Sequence, residues 1–233
     1  TWTQWSGFGQ VVLLCLIEIG GLGFMSAATL VIFLFRRKVG LRQRMLIAQA
    51  LSLNEMDGVV RLQRMVIFGS LGFEAAGALI LTLWFWPQYG FVRALRWGVF
   101  HSISAFCNAG FDIFGSMEPG SSLLLFQNDP VVLLTLGALV VLGGLGFLVW
   151  QDIAEKRSWK KLSVYSRLVL LATAMLIVSG WALICILEWN NPKTLGNLSV
   201  GSKLLGGLFQ SVTLRTAGFD AINQAGLTQG GKA

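Results

Sequence analysis

The chain has 233 residues, 55% of them hydrophobic and only 12% charged, and a mean hydropathy of +0.68. A soluble domain of this length has no reason to carry so few charges, and apolar runs long enough to cross a bilayer recur, so an integral membrane protein is predicted. The net charge of +7 does not mark a nucleic-acid partner, because the positives fall in two short segments between apolar runs, where the positive-inside rule accounts for them. Cys15, Cys107 and Cys185 are isolated and read as small buried residues, neither a disulfide framework nor a metal site. His101 is the single histidine, which excludes a His-rich metal site built within this chain. With no initiator methionine, signal peptide or polar tail, the chain reads as a fragment of a longer protein.

Trp2 and Trp5 suit a membrane interface, and residues 8–35 form a first span, apolar apart from Gln10 and Glu18. Its middle, Gly20-Gly21-Leu22-Gly23-Phe24, offers small residues for close packing. Residues 36–64 carry Arg36, Arg37, Lys38, Arg42, Arg44, Arg61 and Arg64 against Glu55 and Asp57. They form a cytoplasmic loop with a short amphipathic helix over 45–53. A second span covers 65–86, closed by Trp84, Trp86 and Pro87, and Glu74 inside it must find a partner. A third, 130–150, repeats the GGLGF word at 143–147. A second basic segment, 152–163, follows with Lys156, Arg157, Lys160 and Lys161, and a fourth span runs over 164–187 to Trp189.

Between the spans stand two related words, HSISAFCNAGFDIFG at 101–115 and FQSVTLRTAGFDAIN at 209–223. With both basic segments inside, spans one and three run inward and two and four outward, so both words lie on the outer side. Residues 90–106 and 199–213 are apolar enough for membrane depth, yet a full crossing would break that orientation. Each is therefore a re-entrant half-helix followed by a glycine loop, and the unit of span, half-helix, loop and span repeats along the chain. The glycine of each loop frees the backbone so that successive carbonyls can face one side, as in rings that replace the hydration shell of a cation.

On these residues the chain resembles the membrane subunit of the Trk/Ktr/HKT potassium transporter superfamily, and within it the bacterial Ktr type. The resemblance implies an all-α polytopic membrane protein built of membrane–pore-loop–membrane repeats, similar to K⁺ channels and incomplete here. Residues 1–35 correspond to the closing helix of repeat one, 36–64 to a cytoplasmic loop, 65–151 to repeat two, 152–163 to a loop and 164–233 to the first helix and pore loop of repeat three. It implies K⁺ uptake across the plasma membrane, with a second copy in a homodimer and a cytosolic nucleotide-binding regulatory ring as partners, with Na⁺ dependence, no cofactor and no enzymatic activity. The filter carries over onto Asn108, Ala109, Gly110 and Phe111, and onto Thr216, Ala217, Gly218 and Phe219. A non-conducting scaffold, or a Na⁺-selective member of the same superfamily, is the alternative.

Side chains around the filter have expected roles as well. Those of Asn108 and Thr216 brace the loops from behind, while Arg215 points away from the pore and ties its loop down, to Asp220, Glu74 or Glu188. Asp112 and Asp220 either draw cations to the outer mouth or cap the turn. Glu18 and Glu74 make structural hydrogen bonds rather than a proton relay, and His101 faces protein.

Overall fold

The computed structural model describes residues 4–23, 59–117 and 120–232. Trp2, the far half of the first expected span, and the basic segment to residue 58 with its expected helix at 45–53 lie outside the described residues. Among those described, all regular structure is helical. Helix α1 (Gly7–Leu22) starts at Ser6, whose hydroxyl accepts from Gly9 N at 3.2 Å, and stops at Gly23 with φ 80°. Helix α2 (Val59–Tyr89) already begins within the basic segment and runs to Gly90, where a single residue turns the chain into α3 (Phe91–Phe106).

Helix α4 (Pro130–Gly144) opens on Asp129, which accepts from Val131 N and Val132 N while its other oxygen takes the Trp84 indole N–H at 2.6 Å. Proline at the first helical position needs no N–H partner there. The expected third span is not one straight helix. It breaks at the second GGLGF word, and α5 (Phe147–Lys156) leaves at 93° to α4. Gly146 takes φ 85° and ψ 147°, nearly the 80° and 146° of Gly23 in the first copy of the word. The word is a helix breaker as well as a packing surface. An Asp152–Lys156 pair at 2.6 Å and the Ser163 N–H donated to Asp152 close the turn into α6 (Val164–Glu188). Then come α7 (Val200–Thr213) and the short α8 (Gln229–Lys232).

Two of these helices, from Arg64 to Tyr89 and from Val164 to Glu188, are long and apolar enough to cross a membrane, and the α4–α5 pair makes a third if counted as one broken span. By contrast α3 and α7, of 16 and 14 residues, extend only about 24 and 21 Å, short of a hydrocarbon core of about 30 Å.

Each short helix leans on the long one before it, α3 on α2 and α7 on α6, and α4 packs between α3 and α7. The two pairings share a latch. Ser102 Oγ donates to Glu74 O at 2.6 Å beside Gly77, and Ser211 Oγ donates to Ile177 O at 2.7 Å beside Gly180. In both, the missing side chain lets a serine reach the backbone of its neighbour, as small residues do where helices approach closely in a bilayer. Behind α3 Phe85, Trp97, Phe114 and Phe126 form an aromatic cluster with centroids 4.6–5.8 Å apart. Only Ser166, Thr173 and Glu188 of α6 are buried, as suits a helix facing lipid or a further subunit surface. Cys15 is exposed and Cys107 and Cys185 are half-buried, which corrects the expectation of three buried thiols.

Gly143 marks the tightest of these approaches: a Cβ there would strike the Phe106 carbonyl at the end of α3. Gly143→Ala is expected to lower stability by about 1–3 kcal/mol, the usual cost of overpacking. Thermal unfolding in detergent micelles checks this, and an unchanged midpoint would show that α4 shifts freely on α3.

Candidate functional site

The two glycine loops leave the C-terminal ends of α3 and α7, so both helix dipoles turn their negative ends toward them. Within each loop the backbone alternates. Asn108 and Gly110 have φ of 52° and 69°, and Thr216 and Gly218 have 130° and 78°, while Ala109 and Ala217 between them are not in the positive-φ region. Such alternation swings successive carbonyls to one side. Glycine takes positive φ at no steric cost and asparagine tolerates it, whereas Thr216 is strained there by roughly 1–3 kcal/mol.

The amide N–H groups of these loops are tied back into the protein. Ala109 N donates to Ser104 O and Ala217 N to Thr213 O, both at 2.9 Å. Ile113 N donates to His101 Nε2 at 3.2 Å, and Ala221 N, its counterpart in the second word, to Gln210 Oε1 at 3.4 Å. Phe219 N donates to Thr213 Oγ1 at 2.9 Å. Among the described residues, no donor meets the carbonyls of residues 108–110 or 216–218. Backbone acceptors need partners, and here the donors have been drawn off to the other side of the chain.

The two loops also meet. A Cβ built on Gly110 would collide with Ala217 O and lie 2.9 Å from Gly218 Cα, and one built on Gly218 would lie 3.6 Å from Gly110 Cα. Residues that stand 108 apart in sequence are thus brought into backbone contact. Phe219 is fully buried behind its loop, whereas Phe111 is 40% exposed.

Several expected side-chain roles fall to other residues. Among the described residues Asn108 and Thr216 make no side-chain hydrogen bond. The bracing comes from Ser104, which donates to Phe111 O at 2.7 Å, and from Thr213. Arg215 Nη2 reaches Thr173 Oγ1 on α6 at 3.4 Å rather than an acid. Glu188, one of the acids expected to hold it, is fully buried and accepts from Asn191, Thr194 and Thr228, fastening the segment after the second loop to the end of α6. Asp220 joins the two halves: its N–H meets Ser122 Oγ, its C=O accepts from Leu123 N, and its carboxylate takes Gln224 Nε2. These bonds fix the turn that follows the second glycine. Asp112 is half-buried next to its loop.

His101 is fully buried, with Nδ1 2.7 Å from Trp97 O and its ring stacked on Phe114 at 3.8 Å. Because Nε2 accepts from Ile113 N, the proton sits on Nδ1 and is donated to Trp97 O. The residue faces protein and holds the loop in place. Missed in the sequence were the Ser102 and Ser211 latches and the Glu188 anchor. A serine in both short-helix segments was the available signal for the first, and nothing local marks the second.

Residues 1–232 match the TrkH family, whose description is cation transport protein. The chain is 40% identical over 230 residues, 99% of its length, to the Ktr system potassium uptake protein B of Bacillus subtilis, covering 51% of that protein. It is 37% identical to the protein of the same name from Vibrio alginolyticus, over 95% of this chain and 48% of that one. With the potassium/sodium uptake protein NtpJ of Enterococcus hirae it shares 36% identity over 98% of its own length and 49% of the relative's. The chain spans about half the length of the curated relatives it matches.

Proposed function

The chain belongs to the TrkH family of cation transport proteins, membrane transporters and not enzymes, and from that premise we propose that its two glycine loops are adjacent sides of a K⁺ selectivity filter. The observation that carries this reading is the backbone contact between loops 108–111 and 216–219, with amides tied behind and carbonyls without donors. Carbonyls so arranged replace the water around a dehydrated cation, and the negative ends of α3 and α7 add to the attraction. No ionised carboxylate is needed in the ion's path, since the charge comes from backbone dipoles.

The relatives' names, potassium uptake and potassium/sodium uptake, favour K⁺ as the transported ion with Na⁺ involved in its movement. In this reading the protein takes up K⁺ across the plasma membrane, as a homodimer on a cytosolic nucleotide-binding ring. The basic segment before α6, Lys156 to Lys161, lies on the cytosolic side where that ring would sit. Repeat two spans 65–151 and the first half of repeat three begins at 164.

The test is ⁸⁶Rb⁺ uptake, with Na⁺ competition, by a full-length protein containing this chain in cells that lack other K⁺ uptake. Gly218→Ser is expected to shift the K⁺/Na⁺ preference at unchanged membrane abundance, because it alters one side of the filter with ordinary van der Waals room around the new Cβ. Unaltered preference with normal insertion would favour a scaffold role.

A further inference from the structure

We propose that Glu18, Glu74 and Cys107 form a binding site for a divalent cation of the Zn²⁺ class, set against the end of α3 just before the first glycine loop. The three residues come from three helical segments, α1, α2 and the C-cap of α3, and their ligand atoms all lie within 4.8 Å of one another. Cys107 Sγ is 3.8 Å from Glu18 Oε2 and 3.9 Å from Glu74 Oε1. A tetrahedral zinc ion with bonds of about 2.3 Å to sulfur and about 2.1 Å to oxygen needs its S and O ligands about 3.5 Å apart. Both S–O separations are within a few tenths of an ångström of that value.

The second observation is an unanswered charge. Glu74 is 97% buried, being 3% exposed, and among the described residues its Oε2, like Glu18 Oε1, has no hydrogen-bond partner. Buried carboxylates are retained when paired or bound to a metal, and two this close cannot both ionise without a cation between them. A thiol as third donor selects a borderline-soft ion over Ca²⁺ or Mg²⁺, which prefer oxygen alone. The negative end of the α3 dipole points the same way.

Room for the site is built in. Gly21 on α1 faces Cys107, and a Cβ there would collide with Sγ, so the glycine is what allows the thiol to stand between the two acids. Glu18 and Cys107 are half-buried, which leaves an approach for the ion, while Glu74 is enclosed. An ion held by Cys107 would also fix the residue preceding Asn108, where the first filter strand begins. That consequence rests on the filter reading; binding itself does not.

The test is Co²⁺ and Zn²⁺ titration of the purified full-length protein in detergent, without any flux measurement. Co²⁺ is expected to bind at one equivalent per chain with a thiolate-to-cobalt charge-transfer band that Zn²⁺ abolishes. Cys107→Ser should lose the band, and Glu74→Gln should weaken binding by at least about ten-fold, as ligand-sphere changes do. Glu18→Gln, at a half-exposed position, repeats the test should Glu74→Gln fail to fold. If the wild-type protein takes up no Co²⁺, or Cys107→Ser binds it equally, the site is overturned and the two carboxylates share a proton instead. Because no ion flux is read, failure of the filter assignment would leave this result standing.

Discussion

Gly110→Ala is expected to abolish K⁺ uptake, and Gly218→Ala to reduce it far less. The two glycines occupy corresponding places in their words and have similar φ, 69° and 78°. A sequence comparison would therefore rank them equal. Their surroundings differ. A Cβ on Gly110 meets Ala217 O and the Gly218 backbone, neither of which can move without the second loop, whereas a Cβ on Gly218 finds its nearest atom at 3.6 Å. Both substitutions incur the left-handed strain of about 1–2 kcal/mol. Only the first adds overpacking of about 1–3 kcal/mol, in a structure where about 1.4 kcal/mol is ten-fold in rate. The expected losses in ⁸⁶Rb⁺ uptake are thus at least about thirty-fold for Gly110→Ala and about ten-fold for Gly218→Ala. Equal losses at equal membrane abundance would mean that the loops do not touch in the working protein.

A further loss of stability is expected at His101. Its imidazole accepts from the buried Ile113 N–H and donates to Trp97 O, and Trp97 O keeps its helical partner, the His101 backbone N–H, whatever the side chain, because both residues lie within α3. Leucine at this position keeps the volume but orphans the Ile113 N–H, which costs about 1–3 kcal/mol. His101→Leu should therefore lower the unfolding free energy by about 1–3 kcal/mol, read from thermal unfolding in detergent. His101→Gln should recover part of the loss, because a glutamine, Gln210, holds the corresponding amide of Ala221 in the second loop. If leucine and glutamine destabilise equally, the ring stack on Phe114 matters more than the hydrogen bonds.

What could be read from the sequence divides along physical lines. Period and punctuation were enough for α3 and α7, since apolar runs too short to cross, followed by a glycine word and constrained by charge parity, admit little else. The contact of Gly110 with Gly218 was implied by the repeat but not located by it. Side-chain partners were the weak point. Arg215 was expected on an acid because opposite charges attract, yet α6 presents Thr173 at that height, and Glu188 is already engaged by Thr194 and Thr228. The 93° bend after Gly144 was missed because GGLGF is apolar throughout. Hydropathy runs straight across such a word, while the positive φ of Gly146 ends the helix. The meeting of Glu18, Glu74 and Cys107 depends on residues 89 apart at the widest bond, and no local spacing foretells that.

A selectivity filter requires backbone oxygens facing an ion, and that can be seen directly. Crystals of the full-length protein grown with Rb⁺ or Tl⁺ are expected to show anomalous density in direct coordination with carbonyls of residues 108–110 and 216–218, on one axis shared by both loops. Density confined elsewhere, with those carbonyls turned into the protein, would contradict it.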